Sequence, residues 1–62
     1  MPVVKIDIWE GKTEKQKEKL IKALTDAVAI ALEIPKEYIT VIINDVPKKN
    51  WGLKGEQASK VR

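Results

Sequence analysis

The chain has 62 residues, a net charge of +3, 44% hydrophobic and 34% charged residues, and neither cysteine nor histidine. Those absences exclude disulfides, thiolate chemistry, imidazole general bases and the usual zinc sites. The composition is that of a folded domain, yet a chain this short, without a disulfide or metal, needs association with other chains to complete its core.

Residues 2–9 alternate, with Val4, Ile6 and Ile8 on one face and Val3, Lys5, Asp7 and Trp9 on the other. This predicts a strand with one buried face. Glu10-Gly11-Lys12 breaks the pattern, and Gly11 supplies the freedom a tight exit requires. Thr13 and Gln16 have the spacing of a capping box. Leu20, Ile21, Leu24, Ala27, Val28, Ala31 and Leu32 then recur at three- and four-residue spacing. They predict a helix over 14–33, ended by Pro35. Glu18 and Lys22 are spaced for an ion pair on its polar side.

Residues 38–44 alternate again, with Ile39, Val41 and Ile43 opposed to Tyr38, Thr40, Ile42 and Asn44. Strand, helix, strand predicts an α/β unit of β-α-β form, with parallel strands and a right-handed crossover. One sheet face meets the helix. The other carries Val3, Trp9 and Ile42 with nothing to cover it, and two strands are too few to stand alone. Further subunits are the expected cover. Residues 46–50 read as a loop, residues 51–56 as a short hairpin framed by Gly52 and Gly55, and residues 58–62 as a tail. The whole reads as a single domain, 1–62.

The chain enters strand pattern at Pro2 without a leader-like segment, and no apolar run approaches the roughly 18 residues of a membrane span. A cytoplasmic protein with no membrane partner is expected. Charge is uneven: residues 48–62 hold Lys48, Lys49, Lys54, Lys60 and Arg62 against Glu56, close to Trp51. Cations beside an aromatic can hold phosphates and stack a base, so a nucleic-acid-binding module is an alternative. The neutral helix and the small number of cations argue against it.

Without His or Cys, the candidate bases are carboxylates, lysines and the amino terminus. Removal of Met1 would leave Pro2 as a free secondary amine on a rigid ring. Desolvation or nearby cations disfavour its protonated form and move its pKa toward neutrality, as a general base requires.

Pro2, the Ile6-Asp7-Ile8 strand, Glu10-Gly11-Lys12-Thr13, Gln16-Lys17, Leu20-Ile21, Val41-Ile42-Ile43, Trp51-Gly52 and the tail from Gly55 to Arg62 follow in an order and spacing that resembles the 4-oxalocrotonate tautomerase family. The resemblance spans nearly the whole chain. It implies a β-α-β protomer with a C-terminal hairpin, assembled as a homohexamer, a trimer of dimers. It implies keto–enol (1,3-allylic) isomerisation of small unsaturated 2-oxo acids, with no cofactor or metal and with the terminal proline as the base. By the same resemblance Pro2 is catalytic. Lys12 stands where an arginine usually holds a substrate carboxylate, which keeps the charge and loses the bidentate fork. Trp51 and Trp9 match apolar positions that line the pocket. Thr40 stands where the best-known members carry a second arginine. It offers one neutral hydrogen bond and no charge, which disfavours a diacid and makes a monoacid, such as the enol of an aryl or alkyl pyruvate, the more plausible substrate, with both classes left open. A hydratase or dehalogenase relative would need a carboxylate to activate water, and Asp7, Glu10 and Asp45 are available.

Overall fold

A computed structural model describes residues 1–60. Val61 and Arg62, which close the tail matched above, lie outside the described residues. Strand β1 (Val3–Trp9) pairs in parallel with β2 (Thr40–Val46), and helix α1 (Glu14–Leu32) makes the crossover. A second, antiparallel pair, β3 (Gly52–Leu53) and β4 (Glu56–Gln57), forms the expected hairpin.

Gly11 has φ +115°, so glycine is required where β1 turns into the helix. The capping box is complete. The Gln16 amide donates to the Thr13 hydroxyl at 3.1 Å, and the Thr13 amide donates to the Gln16 side-chain oxygen at 2.9 Å. At the other end Glu33 takes a left-handed conformation (φ 56°, ψ 49°), and the Ile34 amide closes onto the Ala29 carbonyl at 3.1 Å. The helix thus stops one residue earlier than the periodicity suggests. Pro35 cannot continue it.

The second strand is displaced by two residues from its expected span of 38–44. Residues Lys36–Tyr38 form a 3₁₀ turn, closed by the Tyr38 amide on the Pro35 carbonyl at 3.2 Å. Pro35, with φ fixed near −65°, starts that turn and absorbs the first residues of the alternating run. The strand then continues to Val46 because Asp45 and Val46 find partners in Ile8 and Trp9. Residues Lys48–Asn50, expected as loop, form another 3₁₀ turn after Pro47. Ala58–Lys60, expected as an unstructured tail, forms a third. The ion pair expected between Glu18 and Lys22 is replaced by Lys22 with Asp26, at 3.1 Å.

Register places Val4 against Val41 and Ile6 against Ile43, so the half-buried side chains of both strands share the helix-facing side. Leu20, Leu24 and Val28 of α1 are half-buried with them, whereas Ile21, Ile30 and Leu32 of the same helix are 42%, 79% and 56% exposed. The helix is apolar over a wider arc than two strands can cover. The far side of the sheet, with Val3 and Ile42, is open. Ala58 is the one buried residue among those described. The radius of gyration, 14.4 Å, exceeds the roughly 10.6 Å of a compact chain of this length. This protomer does not enclose a core.

Asp26 links the helix to the turn that follows it. Its carboxylate accepts from Lys36 at 2.8 Å and from Lys22 at 3.1 Å. The Lys36 hydrogen bond, then that of Lys22, holds the Asp26 carboxyl below its ordinary range, and Asp26 in turn holds the Lys36 ammonium above its own. The pairing is complete at neutral pH. It is lost as pH falls through the lowered Asp26 pKa, and at the alkaline end as pH rises through the raised Lys36 pKa.

Two outcomes test these local devices. Thr13→Ala should lower stability by about 1 kcal/mol in urea unfolding at fixed protein concentration; an unchanged midpoint and slope would contradict the cap. Lys36→Met should raise the Asp26 carboxyl pKa, followed by NMR titration, toward the ordinary aspartate value. Retention of the lowered value would mean that Lys22 alone sets it.

Candidate active site

Pro2 precedes the first ladder residue of β1 and is half-buried. Its carbonyl accepts from the Thr40 amide at 3.1 Å, so Pro2 and Thr40 lie together where both parallel strands begin. Met1 is 93% exposed, which leaves the Met1–Pro2 bond open to solvent.

The opposite end of the strand pair holds the other candidates. Lys12 borders a recess of about 250 Å³ together with Ile8, Gln16, Lys17 and Leu20. Ile8 and Leu20 give it an apolar floor, and Lys12 and Lys17 give it a cationic rim. Lys17 is ion-paired with Asp45 of β2, which occupies one of the carboxylates that a water-activating relative would use. Among the described residues no ion pair involves Lys12. The recess therefore presents one committed and one uncommitted cation beside apolar walls, a surface suited to the carboxylate end of a small organic acid.

Trp9 faces the other side of the sheet from Ile8. Its ring meets Trp51 edge-on, with centroids 5.9 Å apart and planes at 78°. Trp51 follows the second 3₁₀ turn, its amide donating to the Lys48 carbonyl at 3.2 Å, and its carbonyl accepts from the Ala58 amide at 2.7 Å. Burial of Ala58 against this segment fixes the Trp51 backbone between the turn and the hairpin. The hairpin itself closes through Lys54 and Gly55, both at positive φ (52° and 84°), as a two-residue turn between twisted strands demands.

The five residues singled out from the sequence thus form separate groups. Pro2 and Thr40 are adjacent. Trp9 and Trp51 are in contact. Lys12 follows Trp9 closely in the chain but lies on the helix side of the sheet. Along β1, Pro2 and Trp9 are about 23 Å apart, at roughly 3.3 Å per residue. A pocket containing all five cannot be built from one protomer.

One contact was not read from the sequence, which set Lys48 near Trp51 only as part of a basic C-terminal segment. Lys48 places its ammonium 4.7 Å from the Trp9 ring centroid, a cation–π contact. The available signal was Pro47, whose fixed φ starts a turn that brings residues 48 and 51 to one side.

No helix among the described residues is long and apolar enough to cross a membrane. The Tautomerase enzyme family profile matches residues 2–60. A 2-hydroxymuconate tautomerase from Pseudomonas sp. (strain CF600) is 45% identical over 62 residues, covering 100% of this chain and 98% of the relative. Among solved structures, a heterohexamer 4-oxalocrotonate tautomerase from Chloroflexus aurantiacus superposes with a TM-score of 0.94 at 32% identity, covering 100% of both chains. The 4-oxalocrotonate tautomerase isozymes from Methylibium petroleiphilum give 0.91 at 45% identity, covering 94% of both. Likeness over the full length, in sequence and in fold together, places the chain in the tautomerase family as an isomerase of the 4-oxalocrotonate tautomerase type.

Proposed function

We propose that the chain acts, as one tautomerase-like domain, on small unsaturated 2-oxo and 2-hydroxy acids, with the Pro2 nitrogen as general base once Met1 is removed. The observation that carries this reading is the position of Pro2. It is half-buried and held by the Thr40 amide, yet joined to a Met1 that stands free in solvent. Cleavage at that bond converts an amide nitrogen, which cannot accept a proton, into a secondary amine that can. A cytoplasmic location belongs to the same proposal, because initiator-Met removal takes place there.

The neutral amine takes the proton from the enol hydroxyl of the substrate and returns one to a carbon further along the conjugated chain. The same nitrogen serves both steps, so the proton balance closes without another acid. Lys12 pairs with a substrate carboxylate and stabilises the dienolate that forms between the two transfers. Trp9 and Trp51 keep water from that anion and keep the amine poorly solvated. Thr40, next to Pro2, offers a single neutral hydrogen bond.

Because Pro2 and the Lys12–Trp51 end are separated by the length of the strand, we assign them to one site built from different protomers. A homohexamer arranged as a trimer of dimers is the assembly we propose. It is supported by the open sheet face and by the hexameric organisation of the Chloroflexus aurantiacus neighbour.

Pro2→Ala in Met-free protein should reduce kcat/KM on 2-hydroxymuconate and on phenylenolpyruvate by about 10²- to 10⁴-fold, and protein shown by intact mass to retain Met1 should be equally inactive. Unchanged rates in either case would remove Pro2 from the chemistry. Lys12→Ala should raise KM by about tenfold, the loss of one charge-assisted contact, and Lys12→Arg should recover it. Lys12→Ala should lower kcat as well, because Lys12 stabilises the dienolate; an unchanged kcat would confine Lys12 to substrate binding.

A further inference from the structure

Among the described residues three lysines are committed to carboxylates: Lys17 to Asp45, and Lys22 and Lys36 to Asp26. Lys48 is different. Among the described residues it has no ion pair, and its ammonium lies over the Trp9 ring, itself packed edge-on by Trp51. A ring face satisfies only one side of an ammonium group. The remaining donors are free for an anion, and apolar surface beside them strengthens such a pairing relative to one in open water. The two indoles supply flat apolar surface, Trp9 being 38% exposed and Trp51 half-buried. Surface of that kind, edged by a cation, fits a planar conjugated acid.

We propose that Lys48, Trp9 and Trp51 form a carboxylate subsite, and that Lys48 makes this enzyme select conjugated dicarboxylates over monocarboxylates. The inference rests on the reading that the chain acts on unsaturated acids, and it names the class. It also revises the monoacid expected from Thr40. The charge lacking beside Pro2 is supplied from residue 48, through the 3₁₀ turn that follows Pro47. Lys12 lies on the helix side of the sheet and Lys48 on the Trp9 side, so one carboxylate is held by Lys12 of one protomer and the other by Lys48 of another.

Muconate and sorbate share a six-carbon diene skeleton and differ by one carboxylate, and Trp9 and Trp51 are the only tryptophans. Quenching of tryptophan fluorescence therefore gives the Kd of each ligand without turnover. Met-free wild-type protein should bind muconate more tightly than sorbate. Lys48→Met keeps a long apolar side chain against Trp9 and removes the charge, and it should shrink that preference by about five- to tenfold. Lys48→Arg should retain it. A preference unaltered in Lys48→Met overturns the proposal. So does equal weakening of both ligands, which would assign Lys48 to packing, or wild-type protein that muconate does not quench. Turnover of 2-hydroxymuconate by Pro2→Ala, measured alongside, separates the two readings. If the variant is inactive while the muconate preference ignores residue 48, Pro2 keeps its role and the subsite falls. If it remains active, the general-base reading falls whatever the binding data show.

Discussion

A parallel pair of strands can be joined only by a crossover, and a single crossover helix covers only one face of the sheet. Everything else in this molecule follows from that limit. Val4, Ile6, Ile8, Val41 and Ile43 find the helix and become half-buried, whereas Val3 and Ile42 stay open on the far face and Trp9 leans on Trp51 and Lys48 instead of on a second layer. The helix is over-supplied in turn, with Ile21, Ile30 and Leu32 projecting past the strands it packs on. The burial that would normally stabilise a domain is thus largely deferred to surfaces left for association.

The chain compensates locally where its ends must be placed. Gly11 and the Thr13–Gln16 box fix the angle at which the helix leaves β1, and Lys17 in the second turn reaches across to Asp45 near the end of β2. Asp26 does the same at the other end of α1, through Lys36 of the linking turn. These partly exposed pairs each contribute little energy. They pin the segments that carry the proposed site residues. Lys12 hangs from the first junction, and Thr40 follows the second. The C-terminal hairpin is pinned by a different device, the burial of Ala58 and its hydrogen bond to Trp51.

The strong periodicities were legible. β1, α1 and the hairpin lie where alternation, capping and glycine placement put them, because each signal is local. The start of β2 was not, because Tyr38 and Ile39 fit an alternating pattern while Pro35 forces a turn on the same residues. Glu18 and Lys22 had correct spacing, but Asp26 offers Lys22 a shared site with Lys36 that exists only once the linker folds back. Pro2 was singled out by the lack of other bases and Lys12, Thr40, Trp9 and Trp51 by a resemblance, and the dispersal of all five over the protomer was invisible in either. Lys48 was noted only as one of the basic residues near Trp51, because its place over the Trp9 ring arises only once the turn after Pro47 folds.

The separation of Pro2 from the Lys12–Trp51 end has an arithmetical consequence. If Pro2 and the cation-and-aromatic end make one site, as proposed, each chain carries one half of each kind at opposite ends of the same strand. Neither half can be completed by its own partner on the same chain. In an open row of protomers, one half of each kind would be stranded at the termini of the row. In a closed ring every half finds its complement, and complete sites equal chains in number. Closure of the assembly is then a condition set by the count of working sites as much as by buried surface.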